Sequence, residues 1–485
     1  MKVSRSITWS PPIGSIRQVS PPCPSPETTA LGARPFSLLA LSVALVLAAS
    51  DLGASPAPEY LIDETTAPSS VEGMQDPMAE SFKRERPLRS LFRRLKTRWE
   101  RRGPFLGDAT LVVEPRNYYL TSHNDGAQNN EAWALGGSAA LRSGWWRDRL
   151  RLGAVGYTSQ RLYGPKDKDG TGLLKPVQDG FSVLGQAYAE ARIVDGLRTI
   201  LYRQTFKLPY VNGNDSRMVP NTFEAYTVAR AVPESLPGLG FAVSHLRKMK
   251  TRDSDDFVSM SKAAGFAGTD KGLSMGGARY SFSKHLNLGA IDQYAWDYMN
   301  TFYAEGNGVW RLTESVPLRL SAQYTKQREV GSALGGHFDT HVYGGRIAAS
   351  HHGAILSLAF SRTSDNNGIQ SPFGGYPGYL SIIVKDFNRA GEDAWLVGLS
   401  YDLGELGLEG LSAFTNLARG NTPDSGARAS PDQTELDLTI DYRPSSGPLQ
   451  GLWLRLRSAF VDQSGEGAVD VRDHRVILNY TVPVL

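Results

Sequence analysis

The chain has 485 residues, with 52 Lys and Arg against 49 Asp and Glu and 41% hydrophobic residues. A charge balance this near neutral gives no footing for a nucleic-acid partner, and a mean hydropathy of -0.30 excludes a bundle of apolar spanning helices. The one cysteine, Cys23, excludes a disulfide scaffold and a cysteine-ligated metal.

Charge is distributed in blocks along the front of the chain. Residues 1–50 carry a net +3, residues 51–82 a net -7, Lys83–Arg102 a net +8 and residues 103–485 a net -1. The isoelectric point of 8.7 therefore reflects a short segment and not the body of the protein. Residues 1–33, rich in Pro and Ser, read as an over-called start. Phe36–Ala49 is an apolar run of 14 residues after Arg34. A spanning helix needs about 20, so the run reads as a secretory signal peptide cleaved after Ala49, Ser50 or Ala54. Removing 1–54 leaves a chain without cysteine, which suits passage through a disulfide-forming compartment. Residues 51–80, acidic and rich in Pro, Ser and Ala, read as a disordered linker. Lys83–Arg102 spaces Leu88, Leu91, Phe92, Leu95 and Trp99 as a basic amphipathic helix does, suited either to anionic lipid headgroups or to solvent.

From Asp108 onward the pattern is all β. Strand signals separated by turn residues fall at Ala109–Val113, Tyr118–Leu120, Gly136–Leu141, Leu150–Tyr157, Ser182–Ile193, Leu197–Gln204, Phe223–Arg230 and Leu239–Leu246. They continue at Ser274–Phe282, Leu286–Tyr294, Thr301–Leu312, Leu318–Lys326, Val342–Ser350, Ile355–Arg362, Trp395–Tyr401 and Gly410–Leu417, and three more close the chain. Residues 108–485 number 378, which allows 21 residues for each of 18 strands with its connection. A tilted spanning strand uses about 9–11 of these, and the count fits 16 to 18 strands.

The last three segments show which face is apolar. Leu436, Leu438, Ile440 and Tyr442 share one face of a strand, and Asp437, Thr439 and Asp441 the other. Leu452, Leu454 and Leu456 alternate with Trp453, Arg455 and Arg457, and Val476, Leu478 and Tyr480 with Ile477, Asn479 and Thr481. Charged residues in phase with one another, opposite Leu and Val, fit a barrel with lipid outside and water inside. Trp145, Trp146, Tyr157, Trp310, Trp395 and Tyr401 stand at segment ends, as interface aromatics do.

Four long connections stand out, at Tyr163–Asp179, Phe206–Asn221, Arg252–Lys271 and Asn366–Glu392. The second, bounded by Pro209 and Pro220, reads as a rigid loop able to fold into the lumen. None of the eight histidines belongs to a catalytic motif, and His337 and His341 lie in a Gly-rich turn rather than on a zinc-protease helix. No catalytic residue, metal site or cofactor is expected.

Several blocks resemble the OprD-type substrate-specific outer-membrane porins. They are Arg116-Asn117-Tyr118-Tyr119, Gly170-Thr171-Gly172-Leu173-Leu174, Lys207-Leu208-Pro209, and Asn214-Asp215 with Arg217, Pro220, Thr222 and Phe223. Lys250-Thr251-Arg252-Asp253-Ser254 and Ser446-Gly447-Pro448 with Leu454-Arg455-Leu456-Arg457 follow in order. The basic segment before residue 103 is longer than the family leads one to expect, and the chain ends Pro483-Val484-Leu485 rather than in the Phe common to such barrels.

The resemblance implies an 18-stranded transmembrane antiparallel β-barrel in the outer membrane, with loops folded inward to form an eyelet. It divides the chain into a signal region (1–54), a periplasmic linker with the basic segment (55–104) and the barrel (105–485). It also implies a lumen ladder of basic residues that guides carboxylates: Arg455, Arg457 and Arg475 by motif, and Lys250 and Arg252 by position. Asn214, Asp215 and Arg217 fall in the eyelet loop. Phase independently puts Arg455 and Arg457 on the lumen face, roughly 6.5–7 Å apart along the strand. Pairing with Asp437 and Asp441 on a neighbouring strand is the structural alternative. Asp215 is a candidate to pin the loop to a wall arginine, and Asn214 to cap a turn or form an ordinary Asx-turn. Asp292 and Asp297 are candidates to meet a solute ammonium on the opposite wall. The expectation is passive diffusion of small organic solutes, carboxylates foremost, through a monomer or loose trimer with outer-membrane lipid around it. A porin for basic amino acids, a general porin and a barrel-anchored adhesin are the alternatives.

Overall fold

The computed structural model describes residues 93–230, 238–313, 315–426 and 428–485. The apolar run, Cys23, the acidic linker and residues 83–92 of the basic segment lie outside them. Among the described residues, twenty strands join one antiparallel sheet. Two are stubs of two residues, Val258–Ser259 and Val482–Pro483. The other eighteen are the staves of the barrel.

In chain order they are β1 (Thr110–Asn124), β2 (Asn130–Arg142), β3 (Leu150–Tyr163), β4 (Phe181–Val194), β5 (Leu197–Gln204) and β6 (Thr222–Arg230). Next come β7 (Gly238–Lys250), β8 (Leu273–Ser283), β9 (Leu286–Ala295), β10 (Met299–Thr313), β11 (Val316–Glu329) and β12 (Asp339–His351). The last are β13 (Ala354–Thr363), β14 (Asp393–Asp402), β15 (Leu411–Asn421), β16 (Asp432–Tyr442), β17 (Leu452–Ser464) and β18 (Val471–Tyr480). Each pairs with its chain neighbours. The ring closes where β1 meets β18, from Arg116 opposite Asn479 to Asn124 opposite Val471. Closure removes the edges that hydrocarbon does not tolerate.

Two of the expected strands are one. Ala109–Val113 and Tyr118–Leu120 are joined within β1 through Pro115. Proline has no N–H for the ladder and is ordinarily confined to edges and bulges. Here it lies opposite Gly137, whose φ is +128° and whose missing Cβ would sit 2.0 Å from the Glu114 carbonyl oxygen. A glycine at that close approach carries the ladder past the proline, and the merger leaves eighteen.

The phase read from the closing strands holds. On β16, Leu438 and Ile440 face outward at 46% and 48% exposure, while Glu435, Asp437, Thr439 and Asp441 are buried on the lumen side. Trp146 and Trp310 stand exposed at the end of the barrel with short turns, and Trp133, Trp296 and Trp395 at the end with long loops. Outer-membrane barrels put short turns in the periplasm and long loops outside the cell. No described helix is long and apolar enough to cross a membrane. A helix, Arg93–Glu100, and a helical turn, Pro104–Gly107, precede β1. The Gly144 amide donates to the Phe105 carbonyl at 2.9 Å and seats this segment on the β2–β3 turn.

The inside is not empty. Phe206, Leu208 and Tyr210 of the loop 205–221 and Phe373 and Tyr376 of the loop 364–392 pack with Phe223, Ile291 and Tyr303 of the wall. Leu173 and Leu174 of the loop 164–180 join Met218 and Val219 against Tyr118 and Ile477. Tyr379, Leu380 and Phe387 seat on Ala359, Leu396 and Ala418. Three long loops thus narrow the lumen, held by apolar clusters that they share with one another and with the wall.

Leu438→Arg should cost roughly 2–4 kcal/mol, the penalty for arginine facing hydrocarbon near the midplane. Urea titration in liposomes measures it, and an unchanged midpoint would reverse the phase of β16.

Candidate pore constriction

The loop 205–221 is tied to β1 at Asp215, Ser216 and Arg217. The Arg116 guanidinium of β1 grips Asp215 with both nitrogens, Nη1 to Oδ1 at 2.7 Å and Nη2 to Oδ2 at 3.2 Å. It also donates to the Arg217 carbonyl and, through Nε, to Asn479 Oδ1 at 2.8 Å. The Tyr118 hydroxyl donates to the Ser216 carbonyl at 3.2 Å. Asn214 turns the chain with φ at 42° and takes the Ser216 amide on its carbonyl at 2.7 Å. Its side-chain oxygen accepts from the Ser216 hydroxyl at 2.9 Å, so the turn is not the Asx-turn of the alternative reading.

Lys250 departs from the lumen position expected of it. It is fully buried at the end of β7, and its ammonium donates to the carbonyls of Pro220 and Thr251 at 2.8 and 2.9 Å. The β6–β7 ladder shifts register between Glu224 and Ala225, which breaks the two-residue phase before Lys250, and the carbonyls of Pro220 and Thr251 take its ammonium.

Arg217 and Arg252 converge. Arg217 donates from Nε to the Thr171 carbonyl at 2.6 Å and from Nη1 to the Ser216 carbonyl at 2.9 Å. Arg252 donates from Nη1 to the Ser216 hydroxyl at 2.9 Å. Both Nε atoms flank Gly172, where a Cβ would lie 3.6 Å from one and 3.7 Å from the other. Among the described residues neither forms an ion pair; their partners are neutral oxygens. Burial, and the charges of Arg475 and Arg252, push the Arg217 guanidinium down to about 10. Burial and Arg475 likewise lower Arg252. The neighbouring Asp253 carboxylate works against that fall at Arg252, and the two guanidiniums are close enough to repel one another.

The strand arginines have other surroundings. Arg455 forks onto Asp441, Nε to Oδ1 at 2.8 Å and Nη2 to Oδ2 at 2.6 Å, with both side chains buried. Trp453 donates to the same carboxylate at 2.9 Å and lies 4.7 Å beneath the Arg455 guanidinium. The structural alternative therefore describes Arg455. Arg457 is partly exposed on the lumen face, opposite Arg475 in the β17–β18 register. Arg475 is buried, bonded to Asp473 at 2.5 Å and to the Ile383 carbonyl at 3.0 Å.

A family model described as outer membrane porin, OprD family, matches residues 103–484. The chain belongs to this family. Porin D of Pseudomonas aeruginosa is 24% identical over 419 residues, covering 79% of this chain and 92% of its own. The crystal structure of OccK9 (OpdG) from the same organism superposes with a TM-score of 0.71 at 25% identity, covering 79% of this chain and 100% of that one. OpdK of Pseudomonas aeruginosa, solved with vanillate, superposes at 0.69 with 23% identity over 78% of this chain and 100% of that one. This chain is therefore a porin of the outer membrane, and its relatives are channels rather than enzymes.

In this porin three contributors escaped the sequence reading. Arg116 was legible as a motif residue, and its phase with Tyr118 and Leu120 marks it as inward. Glu435 shares the inward phase of Asp437 and takes loop amides, as described below. Asp386, on the loop 364–392, is accessible to the lumen but enclosed by protein all round. That enclosure pushes its carboxyl up, against the pull of the Ser381 hydroxyl and Arg252. Asp292 and Asp297, by contrast, are not lumen groups. Ile291, Gln293 and Ala295 point inward, so Asp292 points out, bonded to Asn300 at 2.8 Å. Asp297 sits in the β9–β10 turn with Lys271 at 2.6 Å.

Lys250→Met keeps the bulk but leaves two buried carbonyls without their donor, a loss of about 1–3 kcal/mol each. Faster proteolysis within 205–221 of the folded barrel is the expected result, and cutting at the wild-type rate would return Lys250 to the lumen.

Proposed function

We propose that this porin passes small organic anions, carboxylates foremost, down their gradient, and that Arg217 and Arg252 are the groups that receive the carboxylate at the constriction. One observation carries the reading: two adjacent loop guanidiniums are held in place by hydrogen bonds to neutral oxygens and, among the described residues, neither forms an ion pair. A guanidinium fixed this way keeps its charge and its fork of donors for an incoming carboxylate. Arg475 adds to the positive field on both, and Arg457 continues it along the wall. Transfer from one arginine to the next keeps each departure cheap, as conduction through a multi-site pore requires. Vanillate, in the OpdK structure, is itself a carboxylate; at 23% identity that likeness supports the fold and not the solute.

A second reading has its own observation. Asp386 is accessible in the lumen within the field of Arg252, which offers an ammonium partner and would favour amino acids, basic ones included. We also take residues 1–54 as the signal region, which the mass of the mature protein from outer membranes would test.

Single-channel current from the refolded protein in a planar bilayer, titrated with benzoate and separately with free arginine, distinguishes these readings. Block by benzoate alone is expected, weakened roughly tenfold or more in Arg217→Gln/Arg252→Gln through loss of charge-assisted hydrogen bonds. Block by arginine alone would support the amino-acid reading. A wild-type protein without current would leave the adhesin reading in its place.

A further inference from the structure

The loop 364–392 leaves β13 at Thr363 and returns to β14 at Asp393, two strands that already pair with each other. Nothing in that connection requires contact with a third strand. Yet the loop's tip crosses the lumen and is gripped from beyond β15. Val384 and Lys385 donate their backbone amides to the two oxygens of Glu435, each at 2.8 Å, and Ile383 donates its amide to Asp437 at 3.1 Å. On the other side the Ile383 carbonyl accepts from Arg475 of β18 at 3.0 Å. Glu435 and Asp437 are 0% and 1% exposed. Two carboxylates buried side by side on one strand face are expensive unless donors surround them, and the donors here are peptide groups of a loop.

We infer that Glu435 and Asp437 are a latch that holds the tip of the loop 364–392 across the lumen, and so set the width and charge of the constriction. The latch reads no side chain of the tip. It grips three consecutive peptide units, which places the side chains of Lys385 and Asp386 without consuming them. The base of the loop is held separately, by the apolar seat of Tyr379, Leu380 and Phe387. Arg389 also pairs there with Glu392, which in turn accepts from Gln433 at 2.9 Å. Opening the latch therefore frees the tip and leaves the base in place. Arg475 is a positioning residue in this scheme, since it holds the carbonyl of the same tip.

The latch can be broken from either side. Glu435→Gln/Asp437→Asn turns amide donors of the side chains toward amide donors of the loop. Val384→Pro removes one loop N–H and leaves every strand of the barrel untouched, so it carries the test where the strand variant fails to fold. For both, a roughly two-fold rise in single-channel conductance with added flicker is expected, because the constriction is the series resistance of the pore. A shift in the potassium chloride reversal potential should accompany it as Lys385 and Asp386 move away. Trypsin should also cut after Lys385 in a barrel that still runs as a folded species on a gel. The inference needs a conducting channel but no particular solute, and the trypsin cut reports tip release even where no current is recorded. Folded variants of both kinds with wild-type conductance and no cut after Lys385 would overturn it.

Discussion

A chain that crosses hydrocarbon on strands must satisfy every backbone donor and acceptor within the sheet, since each one left open costs several kcal/mol. Closure of β1 on β18 meets that demand. It also dictates where everything else goes. With a period of two and lipid outside, each strand sends alternate residues into a closed interior, and Glu435, Asp437, Asp441, Arg455, Arg457, Asp473 and Arg475 of the closing strands are all sent there. The lumen of this porin is crowded with arginine and carboxylate for that reason before any question of transport arises. How those charges are shared out then decides what the pore does.

The carboxylates of the wall serve in two ways. Asp441 and Asp473 are bonded to Arg455 and Arg475 on the same or an adjacent strand. Glu435 and Asp437 instead accept backbone amides of the loop that joins β13 and β14. A fork–fork pair takes a cation out of play, and an amide-bound carboxylate fixes main chain. Asp215 does both at once, since its bond to Arg116 holds the loop 205–221 against β1 while occupying a wall arginine. The inward loops are therefore held by ionic and peptide contacts at Asp215 and at Ile383-Val384-Lys385, and elsewhere by aromatic and aliphatic clusters.

Much of this was legible in the residues because barrel strands obey a short period. The alternation of Leu438 and Ile440 with Asp437, Thr439 and Asp441 identified the lipid face without any tertiary information. The four long connections were found from their turn residues. The seam at Pro115 was not legible, because it depends on Gly137, which is distant in sequence and adjacent only after pairing. Loop docking was hidden for the same reason. Nothing local in Ile383-Val384-Lys385 says which strand will take its amides, since the contact is made by backbone that every residue possesses. Arg455 shows the intermediate case: phase fixed its side of the sheet, but both a free ladder position and a pair with Asp441 satisfied that phase. Register, which a single strand does not carry, decided between them.

The same contrast bears on Arg217 and Arg252, which lie on loops and form no ion pair among the described residues. A strand residue has neighbours about 4.8 Å away in fixed register, so an acid can be stationed opposite an arginine, as Asp441 is opposite Arg455. A loop arginine has no ladder to supply a partner. Arg217 and Arg252 are oriented by the Thr171 and Ser216 carbonyls and the Ser216 hydroxyl, which fix direction without cancelling charge. Pairing within a loop then depends on how the loop folds: Arg389 finds Glu392 three residues on, and Arg217 and Arg252 find only neutral oxygens.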